Sequence, residues 1–164
     1  MNRPSRALPD YVELRCVSNF TFLRGASRPE ELVERAKELG YQGLAITDEC
    51  SMAGVVRAHG AAKAVGLPLL LGSQFGIQPR NEAEAPFTLV VLAQNLHGYG
   101  NLCAFITRLR RASEKGSYHL TRDHITGAEL TDCLALLCPD RQATDVQLEA
   151  MGRWPLNHFT CRCW

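Results

Sequence analysis

The chain has 164 residues, 46% of them hydrophobic and 21% charged, which is typical of one soluble globular domain. Its 18 Lys and Arg residues against 17 Asp and Glu give a net charge of +1, so no strong non-specific attraction to nucleic acid or an anionic membrane is predicted. No apolar run approaches the ~18 residues of a membrane span and the start, MNRPSRALPD, is polar, so we expect a cytoplasmic protein without a secretory signal.

Seven cysteines are present, an odd number with no CxxC pair. A structural zinc site would need clustered cysteine pairs together with histidines, and the sequence does not contain that pattern. Free thiols in a reducing compartment are therefore expected.

Strands and helices are predicted to alternate along the chain. Apolar, β-rich segments predict five strands, at residues 11–17, 41–47, 67–77, 87–95 and 133–139. Ser27 is the predicted N-cap of a first helix that ends at Gly40. Further helices are predicted at 52–66, at about 99–114, within 121–130 and in the tail, where residues 140–164 are otherwise poorly defined.

This alternation favours βα units with a parallel interior sheet, in which the chemistry lies at the carboxyl ends of the strands. The loops of interest therefore follow Val17, Thr47, Phe75, Asn95 and Cys138. Asp48 and Glu49 stand directly after the second strand. Adjacent acids there are good ligands for a hard cation, but they are also ordinary first-turn acids that favour a helix N-terminus.

Three long phrases carry a specific resemblance: NFTFLRGAS, ITDECSMAGVVRAH, and the segment from LAQN through GYGNLC to EKGSY. From about Tyr11 to at least Ile125 the sequence resembles the start of a bacterial C-family replicative DNA polymerase, and within that family its error-prone, damage-tolerant branch. The resemblance implies an α/β fold made of the first βα units of a polymerase-and-histidinol-phosphatase (PHP) domain, a distorted seven-unit barrel.

The resemblance also implies a metal site, of which this sequence keeps little. The family's His-x-His pair falls on Arg15 and Val17, its Asp-His pair on Asp48 and Glu49, and its Glu on Gln74; Thr88 stands near another family His. Arginine and valine offer no lone pair to a metal, and glutamine is a poor ligand beside a carboxylate. Asp48 and Glu49 are thus vestigial metal candidates, and no catalytic residue is expected.

A dismantled site suggests how the vacated space is filled. Arg15 is a permanent cation, so we expect it to form an ion pair with Asp48 or Glu49. The chain would then be a structural domain without a cofactor of its own. A residual PHP-type phosphoesterase or exonuclease, and a non-functional truncated remnant, are the alternatives.

The domain assignment that follows is a polar leader at residues 1–10 and a partial PHP domain at 11–164, which is expected to end before the barrel would close. The resemblance implies that the parent protein performs DNA synthesis across damage. Its Mg²⁺ and its contacts with DNA would belong to absent domains. The partners expected for this chain are the palm and thumb domains of that polymerase.

Overall fold

The computed structural model describes residues 10–159 and 162–164, so all of the predicted polar leader except Asp10 lies outside the described residues. Strands and helices follow one another in the predicted order, and they alternate as far as β3, which is joined to β4 without a helix. The bounds are β1 (Val12–Cys16), α1 (Pro29–Glu38), β2 (Gly43–Ile46), α2 (Val55–Val65), β3 (Leu69–Ile77), β4 (Phe87–Ala93), α3 (Leu96–Arg111), β5 (Cys133–Pro139) and α4 (Asp145–His158).

The five predicted strands are confirmed, and they form one curled sheet in the order β1-β2-β3-β4-β5, half of a barrel. The prediction of a wholly parallel sheet is wrong. β1, β2 and β3 are parallel, whereas β4 is antiparallel to β3 and β5 is antiparallel to β4. The loop after Asn95 therefore lies at the opposite end of the sheet from the loops that follow Val17 and Thr47.

The connections explain these directions. Residues 78–86 join β3 to β4 without a helix, and a parallel crossover needs a dozen or more residues. After β4, α3 carries the chain away for 16 residues, and residues 112–132 bring it back to the end that β4 had reached. Ala93 consequently pairs with Cys133 across the antiparallel β4–β5 ladder.

Helices cover the outer face of the sheet in two places. α1 and α2 pack on β2 through a cluster centred on Val33, Ile46 and Ala58. α3 packs on β3, β4 and β5 through a larger cluster that includes Phe75 and Phe105, whose rings meet edge to face 5.3 Å apart. The inner face carries a smaller apolar cluster around Ala45, Val90 and Leu92.

Several helix boundaries differ from the prediction. The N-cap of α1 is Arg28 rather than Ser27, and the Glu31 side chain accepts the Arg28 backbone N–H at 2.8 Å. The short helix predicted within residues 121–130 is instead two turns of 3₁₀ helix, Arg122–His124 and Ala128–Leu130. The tail contains the predicted helix, α4, after which Cys163 makes a parallel bridge to Ala135 of β5.

No helix within the described residues is long and apolar enough to cross a membrane. The six cysteines in the same part of the chain are all free thiols; Cys50 and Cys133 are fully buried, and the other four are half-buried.

We expect Glu84 to contribute to the loss of stability in acid. Arg80 donates from Nε to Glu84 Oε1 at 2.8 Å, and this hydrogen bond, with a smaller attraction from Arg122, lowers the pKa of Glu84 below 4.5. The unfolded chain therefore binds more protons than the folded one, so the contribution is present above pH 4.5 and is lost as pH falls through the folded pKa.

Urea denaturation at pH 7 and pH 4 measures this effect. The fall in the free energy of unfolding between these two pH values should be smaller in Glu84→Gln than in the wild type. Glu34→Gln, at an exposed position of α1, is the control and should keep the wild-type fall. Equal falls in all three proteins would contradict the assignment.

Candidate functional site

The candidate site lies at the carboxyl ends of the three parallel strands. Arg15 is the second-to-last residue of β1, Asp48 and Glu49 follow β2, and Gln74 lies in β3. Glu49 and Gln74 are partners in an isolated parallel bridge. Four residues that the sequence analysis singled out are thus brought to one end of the sheet, and Val17 stands half-buried directly after β1.

Asp48 is 1% exposed and its carboxylate receives three hydrogen bonds from one loop. The Ser18 backbone N–H and the Thr21 hydroxyl both donate to Oδ1, and the Ser18 hydroxyl donates to Oδ2, each at 2.7 Å. Oδ2 also lies beside Gly54, the N-cap of α2. The approach is so close that a Cβ added at Gly54 would lie 2.7 Å from Oδ2. The positive end of the α2 dipole therefore favours the buried carboxylate.

The two hydroxyls that bind Asp48 also accept hydrogen bonds. Ser18 Oγ accepts the Phe20 N–H at 3.2 Å, and Thr21 Oγ1 accepts the Glu49 N–H at 3.0 Å. The carboxylate, the two hydroxyls and the backbone thus form a continuous network. This network ties the loop after β1 to the loop after β2.

Glu49 is bound by two side chains from outside its own loop. Tyr118 donates its hydroxyl to Oε1 at 2.8 Å while accepting the Gly76 N–H at 2.7 Å, and Arg24 forms an ion pair with Oε2. Burial raises the pKa of Tyr118, so the hydroxyl keeps its proton and remains a donor. Arg110 extends the arrangement by donating to the backbone carbonyl of Cys50 at 3.2 Å.

The expected ion pair between Arg15 and Asp48 or Glu49 is wrong. Arg15 instead donates from Nε to Gln74 Oε1 at 2.9 Å. Asp48 is already engaged by hydroxyl and backbone donors, and Glu49 is taken by Arg24, so neither acid is left to receive the Arg15 guanidinium. Two positions at which the family resemblance implies metal ligands therefore bind each other.

This donor set does not fit a catalytic metal centre. Within residues 10–159 and 162–164, no group of three or more His, Cys, Asp or Glu side chains is placed to hold a metal ion. The carboxylates of Asp48 and Glu49 are committed to hydrogen-bond donors, and Arg15 brings a fixed positive charge to the same strand end.

Several residues that build this site were missed by sequence reasoning. Ser18, Thr21 and Arg24 lie in the turn-rich phrase SNFTFLR, where the hydroxyls were a usable signal, because buried carboxylates need donors. Tyr118 lies in an irregular segment 69 residues from its partner Glu49, and no periodicity connects the two.

Comparison with known proteins agrees with this architecture. The sequence model of the PHP domain family matches residues 13–145. The chain is 48% identical over 167 residues to an error-prone DNA polymerase from Ralstonia nicotianae. This alignment covers 94% of this chain and 15% of the relative. It is 50% identical over 161 residues to an error-prone DNA polymerase from Ralstonia pickettii, covering 92% of this chain and 15% of that relative.

A solved structure supports the same fold at lower identity. It is a protein from Bifidobacterium adolescentis, provisionally named a metal-dependent phosphoesterase. The TM-score is 0.65 and the sequence identity is 17%, and the alignment covers 88% of this chain and 74% of that protein's chain. The chain spans about 15% of the length of the polymerases that it matches. The curled sheet, the helices on its outer face and a family match over 13–145 lead to one assignment: the chain belongs to the PHP domain family.

Proposed function

We propose that this chain forms part of the PHP domain of an error-prone, damage-tolerant DNA polymerase, and that it acts there as a structural domain with a dismantled metal site. The identity of about one residue in two with proteins of that name supports the first part. Template-directed synthesis, with the Mg²⁺ it requires, would belong to other domains of the polymerase. The partners of this chain would be the palm and thumb domains.

The observation that carries the structural role is the hydrogen bond from Arg15 to Gln74. It links β1 to β3, two strands separated by β2, at the end of the sheet where the family would hold a metal. A metal normally joins such strand ends by binding a ligand from each one. Here the Arg15–Gln74 contact and the Asp48 network make the equivalent connections without a cation.

Metal analysis of the purified chain tests this role. After dialysis against buffer without chelator, we expect less than one tightly bound Mn, Zn or Fe ion per chain by elemental mass spectrometry. The melting temperature should not change when EDTA is added, because the connections are made by protein groups alone. Two or more tightly held metal ions per chain would contradict the structural role.

Two activity assays separate the proposal from its alternatives. The chain alone should extend no primer, because nothing at this site resembles a nucleotidyl-transfer centre; robust nucleotide incorporation would overturn the domain assignment. A residual phosphoesterase would hydrolyse p-nitrophenyl phosphate in the presence of Mn²⁺. We expect no hydrolysis above the level of buffer containing Mn²⁺ alone, and Mn²⁺-dependent turnover that EDTA abolishes would favour the hydrolase instead.

A further inference from the structure

An open polar cavity of about 310 Å³ lies beside the candidate site, at the same end of the sheet. Arg15 of β1, Thr88 of β4 and Arg141, which follows β5, contribute to its wall. The backbone pairing explains this convergence, since Thr88 is paired with Gly76 on one side and with Cys138 on the other. Asp48 and Glu49 do not line the cavity.

The charges of this cavity favour an anion. Most arginines in the described part of the chain form an ion pair with a carboxylate or donate a hydrogen bond to a backbone carbonyl; the exceptions are Arg15, Arg111 and Arg141. Two of these three exceptions line the cavity. Asp140 also lines it, but its Oδ1 accepts the Gln142 N–H at 2.8 Å. With two cations and one anion, the wall carries a net positive charge.

Arg15 is held in a way that suits binding. Its Nε donates to Gln74 Oε1 at 2.9 Å, and Gln74 is 2% exposed, so the guanidinium is anchored by a buried group. Nη1 and Nη2 make no ion pair or hydrogen bond within residues 10–159 and 162–164. A planar guanidinium with free terminal nitrogens matches the oxygens of a phosphate group, and anchoring it in advance reduces the entropy lost on binding.

We propose that this cavity binds a phosphate group, with Arg15 and Arg141 as the charged donors and the Thr88 hydroxyl as a neutral one. The phosphate group can belong to free inorganic phosphate or to a nucleic-acid backbone. The residues that carry the site all lie in this chain, so the proposal does not depend on the polymerase assignment.

Calorimetric titration of the full chain with inorganic phosphate, at neutral pH and low ionic strength, tests the proposal. We expect saturable binding to one site. Arg15→Gln and Arg141→Gln should each weaken the affinity about tenfold, because each removes a charge-assisted donor. Arg111→Gln is the matched control: Arg111 is an exposed arginine on α3 outside this cavity, and its substitution should change the affinity by less than about twofold.

Competition with a short oligothymidylate identifies the source of the phosphate. If the oligonucleotide displaces inorganic phosphate in an Arg15-dependent manner, the site takes a nucleic-acid phosphate; if it does not, the site takes free phosphate. Absence of saturable binding, or an equal loss in Arg111→Gln, would overturn the proposal. Should Arg15→Gln fail to fold, Arg141→Gln decides alone, because Arg141 is exposed and its side chain makes no hydrogen bond in the described part of the chain.

Discussion

Asp48→Ala should lower the free energy of unfolding by about 3–5 kcal/mol, the largest effect that we expect of a single substitution in this chain. The variant removes the acceptor of three hydrogen bonds of 2.7 Å. It leaves the Ser18 backbone N–H and two buried hydroxyls without a partner, and each unsatisfied buried donor costs about 1–3 kcal/mol. Urea denaturation followed by circular dichroism measures the loss.

Two further variants sharpen this test. Asp48→Asn keeps one acceptor oxygen but loses the other, so its loss should lie between those of the wild type and Asp48→Ala. Asp123→Ala removes an exposed aspartate that pairs with Arg80, and as the control it should cost about 1 kcal/mol or less. If Asp48→Ala were no more destabilising than Asp123→Ala, the network would not hold the two loops together.

The same experiment separates a structural Asp48 from a metal-binding one. A structural carboxylate predicts the same loss of stability with and without EDTA, because its partners are hydroxyls and a backbone N–H. A metal ligand predicts that EDTA destabilises the wild type toward the level of Asp48→Ala. The first outcome would support the proposal that hydrogen bonds have taken over the role of a cation at this end of the sheet.

The sequence alone was sufficient to locate the strands but not to orient all of them. Apolar segments of the right length marked β2 to β5, because burial on the sheet leaves a compositional signal. β1 has no fully buried residue, and its β-rich composition marked it instead. The direction of β4 depends on the connection before it. Residues 78–86 are too few for a helical crossover, and this was a readable signal for an antiparallel return.

The site was predictable in its positions and not in its contacts. The resemblance placed Arg15, Asp48, Glu49 and Gln74 at one strand end, and the structure brings them together there. Charge alone favoured an ion pair between Arg15 and the acids. In the structure, Arg24 pairs with Glu49 and the hydroxyls of the first loop bind Asp48, so both acids are occupied by donors other than Arg15. The hydroxyls of the first loop were visible in the sequence, but which donor each acid binds was not.

A final expectation concerns Gly98, which sets how closely α3 approaches the turn into β5. A Cβ added at Gly98 would lie 2.0 Å from the backbone carbonyl oxygen of Asp132. That oxygen is fixed in place, because it accepts the Gln94 N–H at 2.9 Å where the end of β4 meets the start of β5. Gly98→Ala must therefore move either α3 or the β4–β5 ladder.

We expect Gly98→Ala to lower the free energy of unfolding by about 3 kcal/mol, since backbone atoms cannot yield as a flexible side chain does. Gly100→Ala in the same helix is the matched control. Nothing lies within 4 Å of its added Cβ, so it should raise the free energy of unfolding by about 0.5–1 kcal/mol through the higher helix propensity of alanine. Opposite signs for the two substitutions in urea denaturation would establish that the close approach, rather than helix propensity, requires glycine at position 98. Equal effects of the same sign would contradict this packing of α3 against the turn into β5.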